Sequence, residues 1–217
     1  MLTLNIPQSS DGTLKILCLG AHSDDIEIGC GGAILKLLRD HENVQVHWVV
    51  FSGEEERTAE AKGSATDFLA ATGEKQIVVK DFKGSFFPHS GCEIKEYFEV
   101  IKKEFAPDII FTHYRHDLHQ DHRVINELTW NTFRNHFILE YEIVKYDGDI
   151  GQPNFFVHLD EEICRKKIGT ILKQFKSQSY RTWFTEDAFY AILRLRGIES
   201  NSPSKYSEGF YCRKALI

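Results

Sequence analysis

The chain has 217 residues, 42% hydrophobic and 27% charged, with a formal net charge of −6. Those values suit a single domain over residues 1–217 with a full core. They exclude long disorder, and the acidic balance leaves no basic footprint for nucleic acid. No apolar run approaches the roughly 20 residues of a membrane span. Residues 1–13 carry no cationic start followed by an apolar core, so no secretory leader is expected and a cytoplasmic protein is. The five cysteines, irregularly spaced, form neither a disulfide framework nor a CxxC metal motif.

Taken in chain order, residues 14–21 read as a buried strand and 31–39 as a helix with Ile34, Leu35, Leu37 and Leu38 on its apolar face. A strand at 44–51 precedes a helical stretch at 54–71 that stops at Gly73. A third strand spans 76–82. The helix at 94–105, with Ile94, Phe98 and Ile101 on one side, is ended by Pro107. A fourth strand spans 108–113, a helix 124–137 and a fifth strand 139–146. The last third is less regular: a strand at 155–159, helices at 161–175 and 187–196, and a strand at 208–216. Segments 148–154 and 200–204 are expected to border a pocket. Near-continuously apolar strands alternating with helices predict a mainly parallel sheet with helices on both faces, a three-layer α/β/α architecture.

Two strand ends carry the chemistry. After the first strand comes Ala21-His22-Ser23-Asp24-Asp25-Ile26-Glu27-Ile28-Gly29-Cys30-Gly31-Gly32. His22 and Asp25, three apart, share one side of a turn or first helical turn. An imidazole nitrogen and a carboxylate oxygen suit zinc, and a catalytic zinc keeps three protein ligands and one open position. Asp24 points elsewhere and is free to act on a water as general base; Glu27 is a candidate to orient a ligand. The plainer alternative is a helix start in which Ser23, Asp24 and Asp25 are caps. Gly29, Gly31 and Gly32 permit close backbone approach, yet they form no dinucleotide or phosphate-loop motif.

The fourth strand empties into His113-Tyr114-Arg115-His116-Asp117-Leu118-His119-Gln120-Asp121-His122. His122 is positioned to be the third ligand, with His119 and Asp121 flanking the open position. A histidine beside a carboxylate protonates more readily, and a cationic imidazole would stabilise an oxyanion or protonate a leaving amine. His113 reads equally as a core histidine or a ligand, Asp117 as a partner to a ligand, and His116 as a surface residue.

Together the two motifs resemble the PIG-L/LmbE family of zinc-dependent N-deacetylases, whose usual form is AHPDDE followed later by HxDH. Here Ser23 replaces the proline and Ile26 stands before the glutamate. Arg57 with Glu60, Lys167, Ser177-Gln178 and Ser207-Glu208-Gly209-Phe210 resemble further family segments. The resemblance implies a Rossmann-like fold, with Zn²⁺ or another divalent transition metal held by His22, Asp25 and His122. It implies Asp24 as general base, His119 at the oxyanion or leaving amine, and Asp121 orienting His119. It further implies an N-acetylated amino sugar, nucleotide sugar or glycoconjugate as substrate, Arg57 as a substrate contact, and leaves a homo-oligomer open.

Three other readings compete. Asp117-x-His119-x-Asp121-His122 is one residue from the HxHxDH of metallo-β-lactamase-like hydrolases. The others are an inactive sugar-binding domain of the same fold and a nucleotide-binding Rossmann domain.

Overall fold

The structure, a computed structural model, describes Thr3 and residues 12–216. Most of the stretch 1–13, over which no secretory leader is expected, lies outside the described residues: only Thr3, Gly12 and Thr13 are described. The elements in order are β1 (Leu14–Gly20), α1 (Asp25–Asp40), β2 (Val44–Val50), α2 (Glu55–Phe68), β3 (Lys75–Val79), α3 (Gly91–Glu104), β4 (Ile109–His113), α4 (Gln120–Thr132), β5 (Phe137–Tyr141), β6 (Phe155–Leu159), α5 (Glu161–Gln174), α6 (Glu186–Glu199) and β7 (Tyr206–Cys212). One seven-stranded sheet has the order β3-β2-β1-β4-β5-β7-β6. The first five strands run parallel; β7 is antiparallel to both β5 and β6.

Alternation along β1 shows how the layers form. Leu14, Ile16 and Cys18 join the core under α1, α2, α5 and α6, while Leu17 and Leu19 join the opposite core under α3 and α4. After β1 the chain winds outward through β2 and β3. It then crosses to β4 and winds the other way through β5. The carboxyl ends of β1 and β4 therefore flank the switch point where open α/β sheets form their crevice. Both histidine-rich clusters of the sequence leave the sheet there.

Two helix starts differ from expectation by four residues or more. Helix α1 begins at Asp25, not 31, because its first turn is acidic and its next is glycine-rich, which hides the helical period. Those glycines serve packing. A Cβ on Gly29 would lie 2.1 Å from the Tyr141 ring, and one on Gly32 would lie 2.4 Å from Leu159. Helix α4 begins at Gln120, not 124, because His119 caps it: its Nδ1 accepts the Asp121 N–H at 3.2 Å. No described helix is long and apolar enough to cross a membrane. All five cysteines are free.

Candidate metal centre

Beyond Gly20 the chain turns sharply across Ala21–Asp24. The turn is pinned to the end of β2, since Ser52 donates from its N–H at 2.9 Å and from its hydroxyl at 3.0 Å to the Ala21 carbonyl. Within the turn the His22 N–H donates to Asp25 Oδ2 at 2.6 Å, which folds the two side chains together. The capping alternative fails here. Asp24 occupies the N-cap position of α1 but makes no cap bond, and Ser23 Oγ has no partner. The Asp24 carboxylate is turned instead to Arg57, whose Nη2 donates to Oδ1 at 2.7 Å.

The second cluster is organised by two carboxylates. Asp117 Oδ1 accepts the His119 N–H at 2.8 Å, and Oδ2 lies 2.9 Å from His122 Nδ1 and 3.1 Å from Lys145 Nζ. Asp121 is fully buried: Oδ1 accepts the Phe87 N–H at 3.1 Å, and Oδ2 accepts the Ser85 N–H at 2.5 Å and lies 3.1 Å from His22 Nε2. Ser85 holds a left-handed φ of 66°, and this conformation aims its N–H at Asp121. The carboxylate of Asp121 thus orients His22, while His119 Nδ1 accepts from the Asp121 backbone N–H and not from its side chain.

These bonds set the tautomers. Burial works to raise both carboxyls, yet hydrogen bonds and charge hold them below the usual range: Asp121 through His22 and Ser85, Asp117 through His122, His113 and Lys145. As anions they accept hydrogen bonds from His22 Nε2–H and His122 Nδ1–H. The opposite ring atoms, His22 Nδ1 and His122 Nε2, then present lone pairs to one another at 3.1 Å. Asp25 Oδ2 completes a triangle, 3.3 Å from the first and 3.4 Å from the second. Donors about 2.0–2.1 Å from a tetrahedral zinc would stand about 3.3 Å apart. Three converging lone pairs require a cation, and the residues fit a divalent metal. Without one a proton serves. Burial opposes it, but Asp25 and Asp121 draw His22 up to about 9, while burial and His113 take His122 down to about 3. Asp25 itself lies well below the usual range: burial is outweighed by His122, His113 and His22. The side chain of His22 is 16% exposed, leaving a solvent-facing side for a further ligand.

Two other trios have donor atoms within 4.8 Å, one with His119 in place of Asp25 and one with His113 in place of His22. His113 Nε2 already receives the Ala21 N–H at 2.9 Å, and the buried ring stacks on His122 at 3.9 Å, so it supports the triangle from beneath. His119 sits at the side of the triangle, its ring 4.7 Å from His22 and 4.6 Å from His122. Its expected ready protonation is not met. Burial and the neighbouring His22 outweigh the carboxylates and lower its pKa. With Nδ1 accepting, the proton of the neutral ring sits on Nε2.

Asp24 is 5% exposed; burial raises its carboxyl, Arg57 pulls it back and Asp25 adds to the rise. Glu27, a candidate to orient a ligand, makes no hydrogen bond to the histidines of the site; it is buried, and burial pushes it well above the usual range against the opposing effect of Ser64. His116 is exposed, as expected. The weaker motifs find one another. Glu60 accepts the N–H and hydroxyl of Ser177 at 2.8 and 2.6 Å. Lys167 pairs with Glu208 at 2.6 Å, and Glu208 also accepts the Gly32 and Ala33 N–H groups of α1. Sequence reading misses Ser85 and Lys145. A Lys83-Gly84-Ser85 turn signal precedes the first; nothing local marks the second.

The sequence model of the GlcNAc-PI de-N-acetylase family, PIG-L, matches residues 17–133. The fold is similar to that of N,N'-diacetylchitobiose deacetylase from Pyrococcus horikoshii, with a TM-score of 0.69 and 24% identity over 91% of this chain and 83% of that one. It is also similar to GalB, the 4-carboxy-2-hydroxymuconate hydratase from Pseudomonas putida KT2440, with a TM-score of 0.72 and 15% identity over 94% and 98% of the two chains. A third likeness is the zinc-inhibited form of teicoplanin deacetylase Orf2, with a TM-score of 0.67 and 14% identity over 91% and 97%.

Proposed function

Because the chain belongs to the PIG-L family, matched over residues 17–133, we propose that it is a zinc-dependent N-deacetylase that hydrolyses the acetamide of an N-acetylated amino sugar or sugar conjugate. The observation that carries the reading is the triangle of His22 Nδ1, Asp25 Oδ2 and His122 Nε2, with edges of 3.1–3.4 Å, next to the Asp24 carboxylate, which makes no cap bond and accepts from Arg57. The donor set of two imidazoles and one carboxylate suits zinc. In the metallo-β-lactamase-like alternative Asp117 would stand at a ligand position; here it holds His122 instead.

A metal bound there supplies a Lewis acid that polarises the acyl carbonyl and acidifies a water. Asp24 takes the water's proton; its raised carboxyl suits a base that must later return that proton. Oxygen adds to the acyl carbon while the His119 Nε2–H donates to the oxygen that gains charge. The C–N bond then breaks, the amine departs with the proton, and acetate and the free amino sugar result. Asp121 and Asp117 hold the two rings in the tautomers that leave their inner nitrogens free. Arg57, whose side chain is 27% exposed, anchors Asp24 and is the group we assign to the sugar's hydroxyls.

Acetate release measured across N-acetyl sugars and nucleotide-linked N-acetyl sugars tests this. Release that chelator abolishes and added zinc restores is expected. Hydration of an unsaturated acid, as the name of GalB describes, without acetate from any amide would overturn it.

A further inference from the structure

We propose that Lys145 is a positioning residue for the metal: its ammonium fixes the Asp117 carboxylate against His122 and thereby sets the affinity of the site. The inference rests on His22, Asp25 and His122 being the ligands.

Lys145 lies in the segment 142–154 between β5 and β6, with its side chain 9% exposed. Its Nζ stands 3.1 Å from Asp117 Oδ2 and is bonded to Asp149 Oδ2. Asp149 in turn accepts the Leu118 N–H at 2.7 Å, so Lys145 and Asp149 together strap this segment onto the loop that precedes His122. The segment is itself anchored. Arg196 of α6 donates to both oxygens of Glu142, at 2.6 and 2.7 Å, and to the Gly151 carbonyl at 2.9 Å. Lys145 therefore reaches the metal loop from a fixed support.

Among the described residues Lys145 is the one lysine or arginine on the Asp117 carboxylate. Arg123 binds the carbonyl oxygens of Asp117 and Leu118 instead. Asp117 is 2% exposed and accepts from the His119 backbone and the His122 ring at once. A buried carboxylate keeps both acceptor oxygens only while a cation balances it. With Lys145 removed, Asp117 and Asp149 share one buried space without a counter-charge. The Asp117 carboxylate loses the contact that holds it in place, and His122 loses the bond that fixes its ring. The partner carboxylate of His22 has no lysine or arginine on it: two backbone N–H groups and the His22 ring itself satisfy Asp121.

Two effects oppose one another when this lysine is replaced. Loss of a positive charge near a dication strengthens metal binding by simple electrostatics; loss of the His122 constraint weakens it. The strap geometry commits to the second.

The test is the zinc dissociation constant of the full chain, measured by competition with a chromophoric chelator, for wild type, Lys145→Met, Lys145→Arg and the surface substitution Lys173→Met. Lys145→Met is expected to weaken binding about tenfold or more, the scale on which outer partners of metal ligands act. Lys145→Arg is expected to stay within about threefold of wild type, the residual allowance for a bulkier cation in the same place, and Lys173→Met to match wild type. Adding Lys145→Met to Asp117→Asn should cost nothing more, because the lysine acts through Asp117; this arm does not depend on how stable the single variant is. Binding by Lys145→Met as tight as wild type or tighter overturns the proposal, as does an Arg variant as weak as Met or an additive double variant. A wild-type protein that binds no zinc overturns the ligand assignment itself.

Discussion

The two halves of the site are held in different ways. His22 and Asp25 sit in one turn, bonded to each other through the His22 N–H, and their placement follows from the end of β1 and the start of α1. His122 stands on the first turn of α4, and its ring is set by a carboxylate in the loop before it, which is braced from the β5–β6 segment. Each histidine gives its outer nitrogen to a carboxylate, but with opposite ring atoms: Nε2 of His22 to Asp121, and Nδ1 of His122 to Asp117. The first half is locally specified and the second is assembled from distant chain. The cross-over bond matters most, because Asp121, on the second half, orients the histidine of the first.

Substitutions can break that arrangement at graded cost. Asp24→Asn should lower kcat by about 10²–10⁴-fold, the range for loss of a general base, with zinc stoichiometry by elemental analysis unchanged. Full turnover in that variant removes Asp24 from the reaction. The next largest effects compare the two carboxylates. Asp117→Asn and Asp121→Asn should each weaken zinc binding by about 10–100-fold. Asp121→Asn should also free the 85–87 turn, which limited proteolysis would detect, whereas Asp117→Asn should not. Equal protection of that turn in both variants would contradict the division of labour.

A smaller effect concerns protons. In the metal-free protein His22 is raised to about 9, so it is protonated at pH 7.5 and must release that proton when a metal binds. Calorimetry in buffers of different ionisation enthalpy should show close to one proton released per ion at pH 7.5, and less release approaching pH 10. Zinc affinity should accordingly fall as the pH is lowered.

The last prediction lies outside both halves. His47 on β2 is buried against Phe105 with neither ring nitrogen partnered, and burial lowers it to about 4. The unfolded chain takes up a proton near pH 6.5 and the folded chain resists it. The stability is therefore complete above pH 6.5 and is lost as the pH falls toward 4, by about 2–3 kcal/mol from this group. Chemical denaturation of His47→Leu at pH 7.5 and 4.5 should show a loss smaller than wild type by about that amount. Parallel losses would mean that His47 takes a proton without cost.

Much of this was legible in the residues, and the illegible part has a physical pattern. The alternation of apolar strands and helices marks the layers, and β6 falls where its aromatic-rich run predicts. His22 and Asp25 are readable because a three-residue spacing needs only one turn. The start of α1 is hidden because its first turn spends its side chains on the site and its second spends glycines on contact with Tyr141. Asp121 reads as the partner of the nearby His119, but the 85–87 turn and His22 meet its carboxylate instead, a relation that only the crossing of β1 and β4 creates. Lys145 is a lone cation among Asp147 and Asp149, and its reach to Asp117 is set by tertiary packing.

The central claim is that His22 Nδ1, Asp25 Oδ2 and His122 Nε2 hold the metal. An anomalous difference map at the zinc edge, from crystals of the zinc-loaded protein, tests it directly. A single peak about 2.0–2.2 Å from each of those three atoms is predicted. A peak ligated by His113 or His119 in place of any of them, or no peak between the two strand ends, would contradict it.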